Sequence, residues 1–445
     1  MNKRLGLLPL VMSLCLLLVA LSAFGADLQT AAPEQAGLSS ARLDRVAAVV
    51  QPYIDHKQIA GAVVGVARND TLVYLKSFGS MDLESSKPMT DDAIFRIASM
   101  TKPVTSVAVM MLYEEGKFLL TDPVSKYIPE FKGLRVLVPS NPGDPKSTQY
   151  TTVPATRDIT ILDLLAHTSG ISYRFWDKAP IAGMYEEAGI HDGLIPLPGT
   201  TGDMVKKLAT LPLVNQPGEA YAYGLNTDVL GYLVEVVSGL PLDRFFKERI
   251  LDPLKMTNTQ FYVAPSQRAR LVSLYVPGQQ GGIIKASDGT TRWGQLEFSP
   301  DVAYSDVRTY FSGGAGLTST VKDYLRFTQM LLNGGQLDGI RLLSPKSVEL
   351  MATNHIGKLS VWDYYSPAAI GNLGDKFGLG FGMRSEAGLT ELGSVGEYMW
   401  AGIYNTRFWI DPKEKISIVF MSQVIPRVPE IEAKVHAAVY QAITE

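Results

Sequence analysis

Two stretches of this 445-residue chain set a lysine three residues after a serine: Ser99-Met100-Thr101-Lys102 and Ser319-Thr320-Val321-Lys322. A serine hydroxyl is a poor nucleophile until a base removes its proton. On a helix, positions i and i+3 share a face, so this spacing can hold an amine beside the hydroxyl. The chemistry would be acyl transfer through a covalent acyl-serine. Ordinary Ser and Lys usage gives roughly one or two such matches by chance in a chain this long, so context must separate them. After Ser99 the helix carries Val104, Val107, Val109, Met110 and Leu112. That helix is buried, and a lysine inside it is costly unless it has a task. Ser319 opens a helix carrying Lys322, Asp323 and Arg326, which reads as a solvated face behind a Ser or Thr cap. Ser99 is therefore the candidate nucleophile and Lys102 its partner.

Other catalytic systems fit poorly. Gly170-Ile171-Ser172-Tyr173-Arg174 fails the Gly-x-Ser-x-Gly elbow at its last position. The histidines, at 56, 167, 191, 355 and 436, show no metal-ligand spacing, and no glycine-rich phosphate loop follows a strand. No metal and no cofactor is expected. His167 is read as a satisfied helix-end histidine. The net charge of −3 supplies no basic field for nucleic acid or anionic lipid.

The elements that must position these residues follow from periodicity and turn signals. Helices are expected at Ser39–Gln51, Ile97–Tyr113, Thr160–His167, Thr201–Thr210, Asp228–Ser238, Asp243–Ile250, Thr320–Asn333, Ser344–Thr353 and 428–443. A β-hairpin is expected near each end: Ala62–Ala67 with Thr71–Phe78, and Gly402–Ile410 with Ile416–Ser422. Loops are expected at 139–156 and 262–312. The fold class is α/β of the α+β type. One central antiparallel sheet is built from both chain ends, flanked by helices, with a helical insert. The domain reading is residues 27–130 and 313–445 for the sheet domain and 131–312 for the insert.

Residues 1–26 read as a secretory signal peptide. Lys3 and Arg4 precede an apolar run from Leu5 to Leu21, and small residues follow at Ser22, Ala23, Gly25 and Ala26. Cleavage after Gly25 or Ala26 would remove two cations and no acid, leaving 39 Lys and Arg against 44 Asp and Glu, a net of −5. It would also remove Cys15, the one cysteine. Disulfides and cysteine chemistry are then excluded. A periplasmic or secreted bacterial protein without a stable membrane anchor is the expectation; the rival is an uncleaved anchor.

Phe95-Arg96-Ile97-Ala98-Ser99-Met100-Thr101-Lys102 resembles the nucleophile segment of the serine β-lactamase/penicillin-binding-protein superfamily. More narrowly it resembles the class C β-lactamase-related family VIII carboxylesterases. Leu164-Leu165-Ala166-His167-Thr168-Ser169-Gly170, Tyr223 to Gly231, Gly314 to Ser319 and Trp400-Ala401-Gly402 stand in the family order. The resemblance covers about residues 35 to 440. It implies a tyrosine as second catalytic group. Ala220-Tyr221-Ala222-Tyr223-Gly224-Leu225-Asn226 offers two, and Tyr223, eight residues before Gly231, fits the esterase spacing better than Tyr221. Leu225 stands where the lactamase pattern has Asn, and Asn226 could substitute one position late. The resemblance also puts the N–H groups of Ser99 and Ile403 in the oxyanion hole.

The family's lactamases carry Lys-Thr-Gly where this chain has Trp400-Ala401-Gly402. Trp400 cannot hold a substrate carboxylate and offers an apolar wall. Gly402 permits a close backbone approach to a ligand. Arg407 is near in sequence. Trp176, Trp362, Tyr364 and Tyr365 are candidates for the rim. The expected function is an exported serine hydrolase, a carboxylesterase acting on small short-chain esters. The alternatives are a β-lactamase or D-alanyl peptidase, and a catalytically silent cell-wall-binding relative. Either Lys102 or Tyr223 would take the Ser99 proton.

Overall fold

The computed structural model describes residues 28–141, 149–176, 180–304, 309–364 and 372–445. The expected signal peptide lies outside the described residues. A nine-stranded sheet joins the two ends of the chain. In spatial order its strands are Gln29–Thr30, Thr71–Asp82, Gly61–Arg68, Ile416–Met421, Thr406–Asp411, Tyr398–Gly402, Gly382–Met383 and Lys376–Phe377. Lys87–Pro88 pairs with Thr71–Asp82 off this path. The seam between the two hairpins runs from Ile416 opposite Arg68 to Met421 opposite Val63. Its pairings are antiparallel except at one edge, where Gln29–Thr30 runs parallel to Thr71–Asp82. The sheet is thus mixed where a wholly antiparallel one was expected. A two-residue edge strand carries no alternation that a sequence reading could detect.

Gly61–Arg68 is buried along its whole length, because helices cover both faces of the sheet. Val63 and Ala67 join a core with Val104 and Val107 of helix Thr101–Glu114 and with Val321 and Leu325 of helix Val321–Leu332. Val64 and Val66 join a second core with Val46 and Val50 of helix Arg45–Asp55 and Val435 and Val439 of helix Pro429–Tyr440. The period of two sorts the side chains to the two layers. A Cβ on Gly65 would sit 2.5 Å from Val321 Cγ1 and 2.7 Å from Leu325 Cδ1, so glycine lets helix Val321–Leu332 lie close on the strand.

In the middle of the chain, helix Asn226–Ser238 packs on helix Thr101–Glu114. It buries Val229, Leu230, Leu233 and Val234, each worth about 1.5–3 kcal/mol relative to exposure. Ile161–Leu165 and Thr201–Leu208 pack on it in turn, and one apolar cluster continues from the sheet into these helices. The two expected loop regions contain short hairpins. Arg135–Pro139 pairs with Tyr150–Pro154. Tyr275–Pro277 pairs with Ile283–Lys285, and Thr291–Trp293 with Leu296–Phe298. Three-residue strands among Gly, Pro and Ser are too short to show a period.

Candidate active site

Ser99 lies in a 3-10 turn, Ala98–Met100, that runs straight into helix Thr101–Glu114. Ala98 has a φ of 40°, a left-handed conformation that costs an L-residue about 1–2 kcal/mol. Full burial of Ala98 holds it there. Its neighbours Ala98 and Met100 are buried, while Ser99 stays partly open and lines a cavity of ≈ 60 Å³ with Phe175, Trp176, Tyr223, Trp400 and Ile403.

Lys102 follows one helical turn later and is fully buried. Its Nζ lies 3.2 Å from Ser99 Oγ, 2.9 Å from the Tyr173 hydroxyl and 2.9 Å from the Gly314 carbonyl oxygen. Three oxygens therefore surround the buried amine, so its polar atom is not left without partners. Nζ also sits 4.7 Å from the centroid of the Tyr223 ring, close enough for attraction to its face. Burial, with the charges of nearby groups, raises Tyr173 well above the usual tyrosine range, so it faces Lys102 as a neutral phenol. Sequence reasoning passed over Tyr173 because it appeared only in the failed elbow. A buried polar aromatic just after a His-Thr-Ser-Gly run was the available signal.

The structure brings Tyr223, and not Tyr221, to the lysine. Trp400 Nε1 donates to the Tyr223 hydroxyl at 3.1 Å. Trp400 is 1% exposed and stands on strand Tyr398–Gly402. It is therefore a hydrogen-bond donor to the phenol as well as the apolar wall expected of it. Tyr221 is buried against Phe377, with ring centroids 5.3 Å apart. His167 lies behind Tyr223, centroid to centroid 4.8 Å. Burial, and secondarily the Lys102 charge, hold His167 well below the usual histidine range, so it is neutral.

Asn226 does not reach the cavity. It is fully buried, with its amide nitrogen 2.9 Å from His167 Nδ1 and its oxygen accepting from the Ser169 hydroxyl. Asn226 ties the His167 segment to helix Asn226–Ser238 and is a support, which corrects its assignment to substrate binding. Position 226 is the first residue of that helix, and its side chain turns into the protein.

Ile403 borders the cavity beside Ser99. Gly402 also lines this cavity, and the packing gives it a second reason to be glycine. A Cβ there would collide with the Ile97 carbonyl oxygen and the Thr406 hydroxyl. The close approach is between strand Tyr398–Gly402 and the segment entering Ser99. Beneath Lys102 lies an acidic layer. Asp228 is fully buried and raised by desolvation; its Oδ1 accepts from the Ser312 hydroxyl at 2.6 Å. Asp192 is pushed up to about 7 by burial, and its Oδ1 accepts from the Arg174 backbone N–H at 2.9 Å. Among the described residues, no group of three or more His, Cys, Asp and Glu is arranged to hold a metal ion.

The second Ser-x-x-Lys is structural, though not on a solvated face. Ser319 is buried, its hydroxyl 2.7 Å from that of Thr259. Thr320 caps helix Val321–Leu332, and Asp323 and Arg326 are buried with partners. Arg407 points away from the site with Trp409, its guanidinium 4.6 Å from that ring. Trp176 lines the cavity. Tyr364 reaches the Tyr223 backbone oxygen at 3.5 Å. Trp362 is not among the lining residues, and Tyr365 lies outside the described residues.

Residues 46–441 match the family model described as Beta-lactamase. The chain belongs to the beta-lactamase family. Protein Rv1367c of Mycobacterium tuberculosis is 34% identical over 388 residues, 86% of this chain and 90% of that protein. Esterase EstB of Burkholderia gladioli is 28% identical over 397 residues, again covering 86% and 90%. Among solved structures, EstCE1, described as a hydrolase with promiscuous acyltransferase activity, superposes with a TM-score of 0.77 at 28% identity, covering 90% of this chain and 99% of its own. Family and relatives together make this protein a serine hydrolase with the fold of the β-lactamases and penicillin-binding proteins.

Proposed function

We propose that this protein is an exported serine esterase that cleaves small carboxylic esters through an acyl-Ser99 intermediate. The observation that carries the reading is the placement of Lys102 Nζ 3.2 Å from Ser99 Oγ, with a tryptophan where the family's lactamases hold a lysine. A neutral Lys102 has two N–H donors and one lone pair. The Gly314 carbonyl can only accept, and the Tyr173 phenol accepts through its oxygen. The lone pair is left for the Ser99 hydroxyl.

Lys102 takes the Ser99 proton as Oγ attacks the ester carbonyl carbon. The developing oxyanion is held by the N–H groups of Ser99 and Ile403; one such donor is worth ~3 kcal/mol of barrier. Tyr223 gives a proton to the departing alcohol oxygen. Water, deprotonated by the same pair, then splits the acyl-serine. An alcohol in its place gives transesterification, in keeping with the acyltransferase activity ascribed to EstCE1. Trp400 puts no cation at the family's carboxylate-binding position, and Arg427 on the cavity wall is paired with Glu432, which favours an uncharged ester over a β-lactam.

The test compares a chromogenic acetate or butyrate ester with a chromogenic cephalosporin, using Ser99→Ala as control. Ester turnover lost in the control supports the proposal. Cephalosporin turnover above ester turnover replaces it with a β-lactamase, and silence on both with saturable cell-wall binding replaces it with a binding protein. Export is tested by fractionation: the mature chain should begin at Ala26 or Asp27 outside the cytoplasm.

A further inference from the structure

The cavity at Ser99 does not close on its outer side. Phe175, Trp176, Ile403 and Arg427 also line a second cavity of ≈ 250 Å³, completed by Trp293, Gln295, Leu296, Ile425 and Pro426. The nucleophile thus stands in the smaller of two connected spaces. The larger one is walled by three aromatic rings and by aliphatic side chains. Trp293 and Leu296 face each other across the hairpin Thr291–Trp293 with Leu296–Phe298. Leu296 is buried in a small core with Ile425 and with Ala98, the residue before the nucleophile. Trp293 itself is 44% exposed. A large indole beside a hairpin turn, lining a cavity, leaves much apolar area in water.

Phe175 links this space to the catalytic lysine. Its ring stacks on Tyr173 at 5.1 Å, and Tyr173 accepts from Lys102. It meets Trp176 edge-on at 5.8 Å. At the junction Arg427 is fixed by Glu432, Nε to Oε1 3.2 Å, and a guanidinium plane of this kind stacks well on ring faces.

We propose that this outer groove binds a flat, apolar ring system carried by the ester, with Trp293 and Trp176 as its walls. The substrate class is then an ester that joins a small group at Ser99 to a bulky aromatic or polycyclic group in the groove. The proposal rests on the esterase reading for its turnover, but not for its binding.

Two measurements separate them. Calorimetry of the Ser99→Ala protein with 2-naphthyl acetate reads the groove without turnover; Trp293→Ala in that background should weaken binding about tenfold, and Trp293→Phe should retain most of it. In the active protein, kcat/KM for 2-naphthyl acetate and for methyl 2-naphthylacetate is compared with that for ethyl acetate. Trp293→Ala should lower at least one naphthyl ester about tenfold, mainly through KM, and leave ethyl acetate within twofold. Naphthyl binding and turnover unchanged in Trp293→Ala overturn the groove while leaving the esterase intact. Trp293-dependent binding with no turnover of any ester overturns the esterase and leaves the groove.

Discussion

The indole nitrogen of Trp400 and the phenol oxygen of Tyr223 are joined by a hydrogen bond of 3.1 Å, although 177 positions separate them in the chain. The donated N–H fixes where the phenol oxygen sits beside Lys102. Trp400→Phe keeps a ring against Tyr223 and removes the donor. A hydrogen bond of this kind is worth about 1–2 kcal/mol, so kcat on an aryl acetate should fall roughly five- to thirtyfold. KM should change less, and steady-state kinetics beside a circular dichroism melt separates this loss from unfolding.

Tyr173→Phe tests the other side of the lysine. The ring still stacks on Phe175, but Lys102 loses one of three oxygen partners. Acylation should slow about tenfold, read as a smaller rate of alcohol release in stopped flow. An unchanged rate would remove Tyr173 from the machinery.

Gly402→Ala pushes a methyl group into the Ile97 carbonyl. The strand and the segment entering Ser99 must separate, which displaces Ile403 from the nucleophile. Overpacking of this sort costs about 1–3 kcal/mol. The expected result is a lower melting temperature together with a hundredfold or greater loss of kcat/KM, since the oxyanion donors no longer share a centre.

Asp192 gives the fold a pH signature. Its carboxyl is raised by burial from 3.8 to about 7, so between those values the folded chain keeps a proton that the unfolded chain has released. Stability therefore falls as pH rises through this window, by up to ~1.4 kcal/mol per pH unit from this group. His167 acts in the opposite sense. Its folded form resists protonation, so below the usual histidine range stability falls as pH falls. Asp192→Asn keeps the acceptor for the Arg174 N–H and removes the titration. The urea midpoint of this variant, measured against that of the parent, should therefore move upward as the pH is raised from 4 to 7.

How far the site was legible in sequence depended on distance along the chain. Ser99 and Lys102 were readable because one helical turn joins them and the apolar residues around them show which way that turn faces. Tyr223 needed the family resemblance, and the structure shows why: Tyr221 has the same local pattern, and only the packing of helix Asn226–Ser238 decides which ring meets Lys102. Asn226 was misplaced for the same reason. Tyr173 and the Trp400 donor were invisible because each acts through a partner on a distant element. In the fold, the long strands and helices announced themselves by period, while the short hairpins at 135–154 and 275–298 did not. One of these carries Trp293.

The seam between Gly61–Arg68 and Ile416–Met421 has a temporal meaning. Ser99 is synthesised early, yet Trp400 arrives on strand Tyr398–Gly402, with Ile403 just after it, some three hundred residues later. Contacts so remote in sequence form late. On the proposed mechanism, a nascent or truncated chain would carry Ser99 without Ile403 beside it or Trp400 against Tyr223, and ester turnover would report that the last hairpin has docked.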